Sequence, residues 1–267
     1  MDAQPLVSVI IPSYNHQDYI ELAVRSAVNQ TYPNKEILVV DDGSTDNSLN
    51  ILQKLQSELS FKLIAQKNSG LAATYNKLIE QCTGNYIAIL ESDDYWMLDK
   101  LEKQVTFLQQ NPLFGGCGGN VLHVNEDNVI LPYYLQRFFP FRAYAFEDVF
   151  AFNAYLPSIS MMFRGDLLKS ITPYPTSLKF IDLFNHLKIT NSNLKLALLP
   201  DLLGCYRIHS KNTTKKNKVM LMGKLDILKE YYNVPGYTKA LFKVYKNYWF
   251  HQCLFFVPSR LFPFKRS

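Results

Sequence analysis

Residues 86–96 read YIAILESDDYW. A short apolar run ends at Leu90 and hands over to Glu91, Ser92, Asp93 and Asp94, three carboxylates within four positions. Apolar runs of this length bounded by polar residues read as buried strands. Like charges this close repel one another, so the cluster calls for a positive partner.

The same grammar recurs earlier in the chain. Residues 6–11, LVSVII, form a β-branched run that leads into Pro12-Ser13-Tyr14-Asn15. Residues 36–40, EILVV, lead into Asp41-Asp42 and the turn GSTD. Residues 61–65 read as a further strand. Between them, helical spacing joins Ile20, Ala23, Val24, Ala27 and Val28, then Leu49, Leu52, Leu55 and Leu59, and residues 71–82 form a third helix. Ser44 or Thr45 is the expected cap of the second helix. Strands alternating with helices predict an α/β fold, a mostly parallel sheet flanked by helices. In such sheets ligands sit beyond the carboxyl ends of the strands. Three separate polar segments therefore converge on one rim.

After Asn111-Pro112 the pattern loosens. Gly115, Gly116, Gly118 and Gly119 lead into an expected strand over residues 120–124. Residues 131–156 are aromatic and irregular, suited equally to stacking on sugars or lipid and to ordinary core. A strand is expected at 158–163, a helix at 181–189 and a last strand at 204–208, which places Arg207 and His209 on one face. The rest reads as helical, basic and aromatic.

With 267 residues, 48% of them apolar and 19% charged, the chain has enough apolar sequence for a sizeable core. The net charge of +5 is unevenly spread. From Lys211 onward there are twelve Lys/Arg and only Asp226 and Glu230 as acids, so the remainder of the chain is acidic. Basic ends seek anionic partners. The four Cys are scattered without a C-x-x-C pair and read as reduced packing residues of a cytoplasmic protein. The start of the sequence has neither the basic nor the apolar region of a secretion signal, and no run reaches the length of a membrane span. Phosphate loops, dinucleotide fingerprints and the G-x-S-x-G elbow are all missing from the sequence, which removes the usual support for ATPase, dehydrogenase and esterase readings.

Each polar segment also has a plain explanation. Glu91 to Asp94 suit a hard divalent cation, but Asp93 or Asp94 could instead cap the helix near Leu98. Asp41-Asp42 open a turn, yet a cap needs only one acid, and the other could read a base or ribose hydroxyl. Asn68-Ser69-Gly70 open a helix whose N-terminus would suit phosphate. Asp182 is a lone acid in an apolar helix, either a solvated residue or a general base. Arg207 and His209 are either an edge pair in water or partners of a diphosphate and a metal.

Together, VSVIIPSYN, ILVVDDGSTDNS, NSGLAATYNKLIEQCTGNYIAILESDDYW and YRIHSKNTT resemble, in order and spacing, the inverting family 2 glycosyltransferases of the GT-A fold. The resemblance is dense over 6–110, sparse over 156–213 and absent beyond about 215. It implies a GT-A domain over 1–213, with a nucleotide-sugar half at 1–110 and an acceptor half at 111–213, followed by a helical basic-aromatic extension at 214–267. By the same resemblance Pro12, Tyr14 and Asn15 embrace the base, Asp42 reads it beside Asp41, and Asn68 and Gly70 flank the nucleotide. Glu91-Ser92-Asp93 matches the D-x-D motif, with Asp93 a metal ligand and Asp94 toward the donor sugar or metal shell. Asp182 matches the catalytic base, and Arg207 and His209 a late motif at the diphosphate, His209 joining the metal. Three positions depart from the pattern: Glu91 replaces the first D-x-D acid, Ile181 replaces the acid before the base, and Tyr75 stands where an arginine is common.

The implied activity is metal-dependent inverting transfer from a nucleotide diphosphate sugar, UDP-linked by family frequency. Mn2+ or Mg2+ is the implied cofactor. The implied acceptor is a glycan or lipid-linked glycan hydroxyl, in bacterial surface polysaccharide synthesis. The tail reads as an interfacial helix on the anionic inner leaflet, making the protein peripheral on the cell membrane, or as a helix packed on the catalytic domain; the first is the expectation. One alternative is a catalytically silent nucleotide-sugar or glycan-binding protein of the same fold. A nucleotidyltransferase is disfavoured because PSYNHQDY has neither Gly nor Lys. Nucleic acid is not an expected partner, since the tail is more aromatic than such an arm requires.

Overall fold

The computed structural model describes residues 4–132, 138–210, 212 and 217–256. Its first half keeps the alternation of the sequence: β1 (Val7–Ser13), α1 (Ile20–Val28), β2 (Lys35–Asp41), α2 (Ser48–Glu58), β3 (Lys62–Ala65), α3 (Leu71–Gln81) and β4 (Tyr86–Ile89). Then come β5 (Tyr95–Trp96), α4 (Lys100–Gln110), β6 (Phe114–Val124), β7 (Arg142–Tyr144), α5 (Phe146–Phe150), β8 (Met162–Arg164), α6 (Gly165–Ser170), α7 (Ile181–Thr190), β9 (Lys195–Arg207), α8 (Asn217–Leu228) and α9 (Tyr237–Phe256).

One nine-stranded sheet runs in the order β3-β2-β1-β4-β8-β6-β9-β5, with β7 also on β9. Strands β3, β2, β1 and β4 pair parallel, as β6 and β9 do. Strands β5, β7 and β8 pair antiparallel to their neighbours. The two reversals around β8 leave β6 and β9 pointing the same way as β1. The carboxyl ends of β1, β2, β4 and β9 therefore open on a single rim.

Strand residues alternate between two cores, the period-two signature of a sheet covered on both faces. Ile10, Leu38, Val40, Ile87 and Ile89 face the helices from α3 and α5 to α9. Val9, Ile11, Ile37, Val39 and Leu90 face α1, α2 and α4. Ile227, Leu228, Tyr231, Ala240 and Val244 belong to the first of these cores, so α8 and the start of α9 pack on the body of the protein.

Several expected elements shift. Helix α2 starts at Ser48, not after a Ser44 or Thr45 cap, because Ser44 Oγ already donates to Asp41 Oδ2 at 2.6 Å. The glycines at 115–119 lie inside β6 rather than before it. Residues 158–160 form a 3-10 turn, and β8 starts only at Met162. Strand β9 is longer than expected and ends at Arg207, so His209 lies in the turn beyond it. Within the aromatic stretch, residues 133–137 lie outside the described residues, as do 257–267 of the tail. Phe139, Phe146, Phe152 and Tyr155 pack on the core, whereas Phe138 and Phe141 are exposed. Cys82, Cys117 and Cys205 are buried and free. No helix among the described residues is long and apolar enough to cross a membrane.

Candidate active site

The loop after β1 is tied to the loop after β2. Pro12 is buried within β1 opposite Val40, and Tyr14 just beyond it is 44% exposed on the rim. Asn15 takes a left-handed conformation, φ 56°, which asparagine tolerates better than most residues. Its Oδ1 accepts from Thr45 N at 2.7 Å, and its own N–H donates to Ser44 Oγ at 3.0 Å. Asp41 is fully buried and accepts from the Ser44 N–H and hydroxyl.

Asp42 joins this loop to the next. Its carboxylate accepts from Gln66 Nε2 at 2.7 Å, Ser69 N at 2.8 Å, Ser69 Oγ at 3.1 Å and Gly70 N at 2.9 Å. Burial works to raise its pKa, but these hydrogen bonds outweigh burial and hold it below the usual carboxylate range. Asn68 and Gly70 are exposed on this loop, where α3 begins.

The cluster after β4 is treated differently. Glu91 accepts one hydrogen bond, from the Tyr75 hydroxyl at 2.8 Å. Burial pushes Glu91 up to about 7; the Tyr75 bond opposes this, and the charges of Asp93 and Asp182 add to it. The two departures at positions 75 and 91 are thus one contact. Ser92 is buried and its Oγ lies 2.7 Å from His16 Nδ1. Asp93 Oδ2 lies 2.9 Å from His209 Nε2. Burial would raise the Asp93 pKa, but the His209 bond and the imidazole charges bring it below its ordinary value. Asp94 is 1% exposed; its Oδ1 accepts from Arg207 N at 2.7 Å and its Oδ2 has no partner among the described residues. Burial, followed by the Asp93 charge, drives Asp94 well above the ordinary range. Neither Asp93 nor Asp94 caps α4, which starts after Asp99.

Arg207 is 1% exposed. Its Nε donates to Asp93 O at 2.8 Å and its Nη1 to the carbonyls of Asn125 and Glu126. The guanidinium also stands 4.6 Å from the centre of the Tyr19 ring. The residue expected at the diphosphate thus clamps the Asp93 backbone to the end of β6. Asp182 is exposed in the first turn of α7, and its charge is felt by Tyr75 and Glu91.

His16 is the site residue that the sequence pattern did not single out. His16, Asp93 and His209 each offer one ligand atom, all within 4.8 Å of one another. They come from the ends of β1, β4 and β9. Only the strand order brings His16 there, and nothing local in PSYNHQDY marks it. Two imidazole nitrogens and a carboxylate oxygen form a donor set that fits a divalent metal ion.

Among curated proteins, the chain is 47% identical over 109 residues to the putative teichuronic acid biosynthesis glycosyltransferase TuaG of Bacillus subtilis, covering 40% of this chain and 43% of that protein. It is 40% identical over 112 residues to the UDP-Glc:alpha-D-GlcNAc-diphosphoundecaprenol beta-1,3-glucosyltransferase WfaP of Escherichia coli, covering 41% and 43%. These matches span less than half the length of either relative. The solved structure of S. aureus TarS 1–349 with UDP-GlcNAc superposes with a TM-score of 0.64 at 22% identity, over 83% of this chain and 66% of that one. The mannosyltransferase PcManGT of Pyrobaculum calidifontis, with GDP-Man and Mn2+, gives 0.70 at 18% identity over 92% and 70%. These likenesses establish the GT-A fold. The sequence model named Glycosyl transferase family 2 matches residues 8–169, more than half of the chain, and the chain belongs to that family.

Proposed function

We propose that this family 2 protein transfers a sugar, with inversion, from a nucleotide diphosphate sugar to a hydroxyl of a glycan or lipid-linked glycan. UDP is the first choice of nucleotide. The observation that carries the reading is the meeting of His16, Asp93 and His209 at three strand ends, beside the loops joined by Asp42. Relatives add support: WfaP is named for a UDP-sugar donor and a diphosphoundecaprenol acceptor, and TuaG for teichuronic acid biosynthesis.

In this reading Tyr14 and the loops braced by Asn15 and Asp42 receive the base and ribose. Asp93, His209 and His16 would hold a divalent cation, which would supply positive charge against that of the departing diphosphate. Asp182 accepts the proton of the acceptor hydroxyl as its oxygen bonds to the anomeric carbon. The bond from that carbon to the diphosphate oxygen breaks on the opposite face, and the electron pair leaves with the nucleotide. Arg207 positions Asp93 rather than touching substrate, and Asp94 in turn holds the Arg207 backbone. Peripheral contact with an anionic membrane through 214–267 is supported by Phe242, Trp249 and Phe250, which are more than 60% exposed on α9 among lysines.

The test is a thermal-shift panel of UDP-, TDP- and GDP-sugars, each with Mn2+ and with EDTA, on wild type and Asp93→Ala. A metal-dependent shift with one nucleotide class, lost in the variant, is expected. No shift with any donor would sink the reading. A silent binding protein is the second reading, favoured by the protonation of Glu91 near neutral pH and its engagement by Tyr75. Slow donor hydrolysis in the absence of acceptor, lost in Asp93→Ala, separates an enzyme from that alternative.

A further inference from the structure

Helix α8 meets α7 at Gly223. A Cβ there would stand 2.1 Å from Phe180 Cδ2 and 3.3 Å from Lys179 Cβ, so the α8 backbone lies directly against the residues that open α7. Asp182 sits in the first turn of α7, and Lys224 is the residue after Gly223. The close approach sets Lys224 beside Phe152, its Nζ 5.8 Å from the ring centre, and within electrostatic reach of Asp182. Asp182 acts in turn on Tyr75 and Glu91. One carboxylate therefore links the strand-end rim to a helix that lies beyond residue 169, where the family match ends.

Several lysines around Lys224 are paired. Lys188 pairs with Glu230 at 2.7 Å, Lys229 with Asp226 at 2.7 Å, and Lys243 donates to Asn153. Lys224 is partly buried, and its ammonium has no hydrogen-bond or ion-pair partner among the described residues. Burial lowers its pKa, with Asp182 opposing. A partly buried ammonium with no acceptor among the described residues is open to pairing, and an oxyanion brought by a ligand would supply the partner.

We propose that Lys224 is an acceptor-recognition residue, an ammonium next to the start of α7 that holds an oxyanion of the acceptor while the acceptor hydroxyl meets Asp182. The inference rests on the glycosyl-transfer reading above and adds to it an acidic acceptor. A lipid-linked diphosphate and a sugar carboxylate share that chemistry.

The experiment titrates the full chain, as wild type, Lys224→Met and Lys224→Arg, with geranyl diphosphate and, separately, with glucuronate. Saturating UDP and Mn2+ fill the donor side throughout. One probe is expected to bind wild type and Lys224→Arg, and to weaken tenfold or more in Lys224→Met, with UDP affinity equal in all three proteins. Geranyl diphosphate as the responder points to a lipid phosphate, and glucuronate to an acidic sugar. Equal affinity in wild type and Lys224→Met overturns the proposal, as does no binding of either probe to wild type. A parallel loss of UDP affinity in Lys224→Met also overturns it, because Lys224 would then only prop α7. Failure of UDP to bind wild type would instead sink the donor reading, and the probe titrations without UDP would still report on Lys224.

Discussion

Asp42 and Asp94 stand at the ends of β2 and β4, on either side of β1, and the protein treats them in opposite ways. Asp42 is met by four donors from its own chain. Asp94 is met by one, and its second oxygen has none among the described residues. Hydrogen bonds depress the pKa of the first, while burial raises that of the second and of Glu91. The first cluster is finished by folding and shapes a loop. The second keeps three acids together with too little positive charge, which is where the proposed cation belongs.

The strongest way to break this contrast is to remove Arg207, the guanidinium buried against the second cluster. Arg207→Met leaves three carbonyls without their donor and takes a positive charge away from Asp94. The expected loss is about 3–5 kcal/mol, the usual cost of orphaning a buried charge network, read by urea unfolding. Asp42→Asn attacks the finished cluster and is expected to cost about 1.5–3 kcal/mol, because it replaces charge-assisted bonds and turns one oxygen into a donor. The Asp42 pKa is depressed on folding, so its contribution is fully present above the unfolded value of about 3.9 and is lost as pH falls through the lower folded value. The gap between wild type and Asp42→Asn should therefore close in acid. A gap independent of pH would mean that Asp42 acts through shape alone.

Glu91 carries the opposite sign. Its folded pKa of about 7 lies above the unfolded value of about 4.3, so the folded form holds a proton that the unfolded form has lost. Its contribution is complete below the unfolded value and disappears as pH rises through about 7. In EDTA, wild type should lose stability relative to Glu91→Gln across that window, by up to about 1.4 kcal/mol per pH unit. Parallel stability profiles would show that Glu91 ionises normally. The smallest effect is expected from Tyr75→Phe, about 1 kcal/mol for one hydrogen bond. Because that bond lowers the Glu91 pKa, its loss should move the Glu91 transition to higher pH.

The first half of the site was legible because parallel strands announce themselves as apolar runs, and the polar residues at the end of each run must lie on one rim. Asp42, Glu91 and Asp93 could be placed that way. The second half obeys other rules. The glycines of β6 resemble a loop in sequence, yet Gly116 is needed in the strand because a Cβ would come within 2.6 Å of the Phe163 ring. Strand β5 is two residues long, too short for any periodicity to show. The role of Arg207 as a clamp was hidden because its acceptors are backbone carbonyls, which no side-chain pattern encodes. His16 was missed because its partners at 92, 93 and 209 become neighbours only through the strand order.

The pairing of Asp93 with His209 spans 116 positions of the chain. Bringing such distant segments together is slow compared with local folding, and it depends on the last strand being laid down. During synthesis, a nascent chain that has exposed β1 to β4 already displays its acids but lacks the imidazole that completes the set. Metal capture would then mark a chain finished through β9. A ribosome-stalled series cut on either side of His209, probed for Mn2+ uptake, would show whether that gate exists.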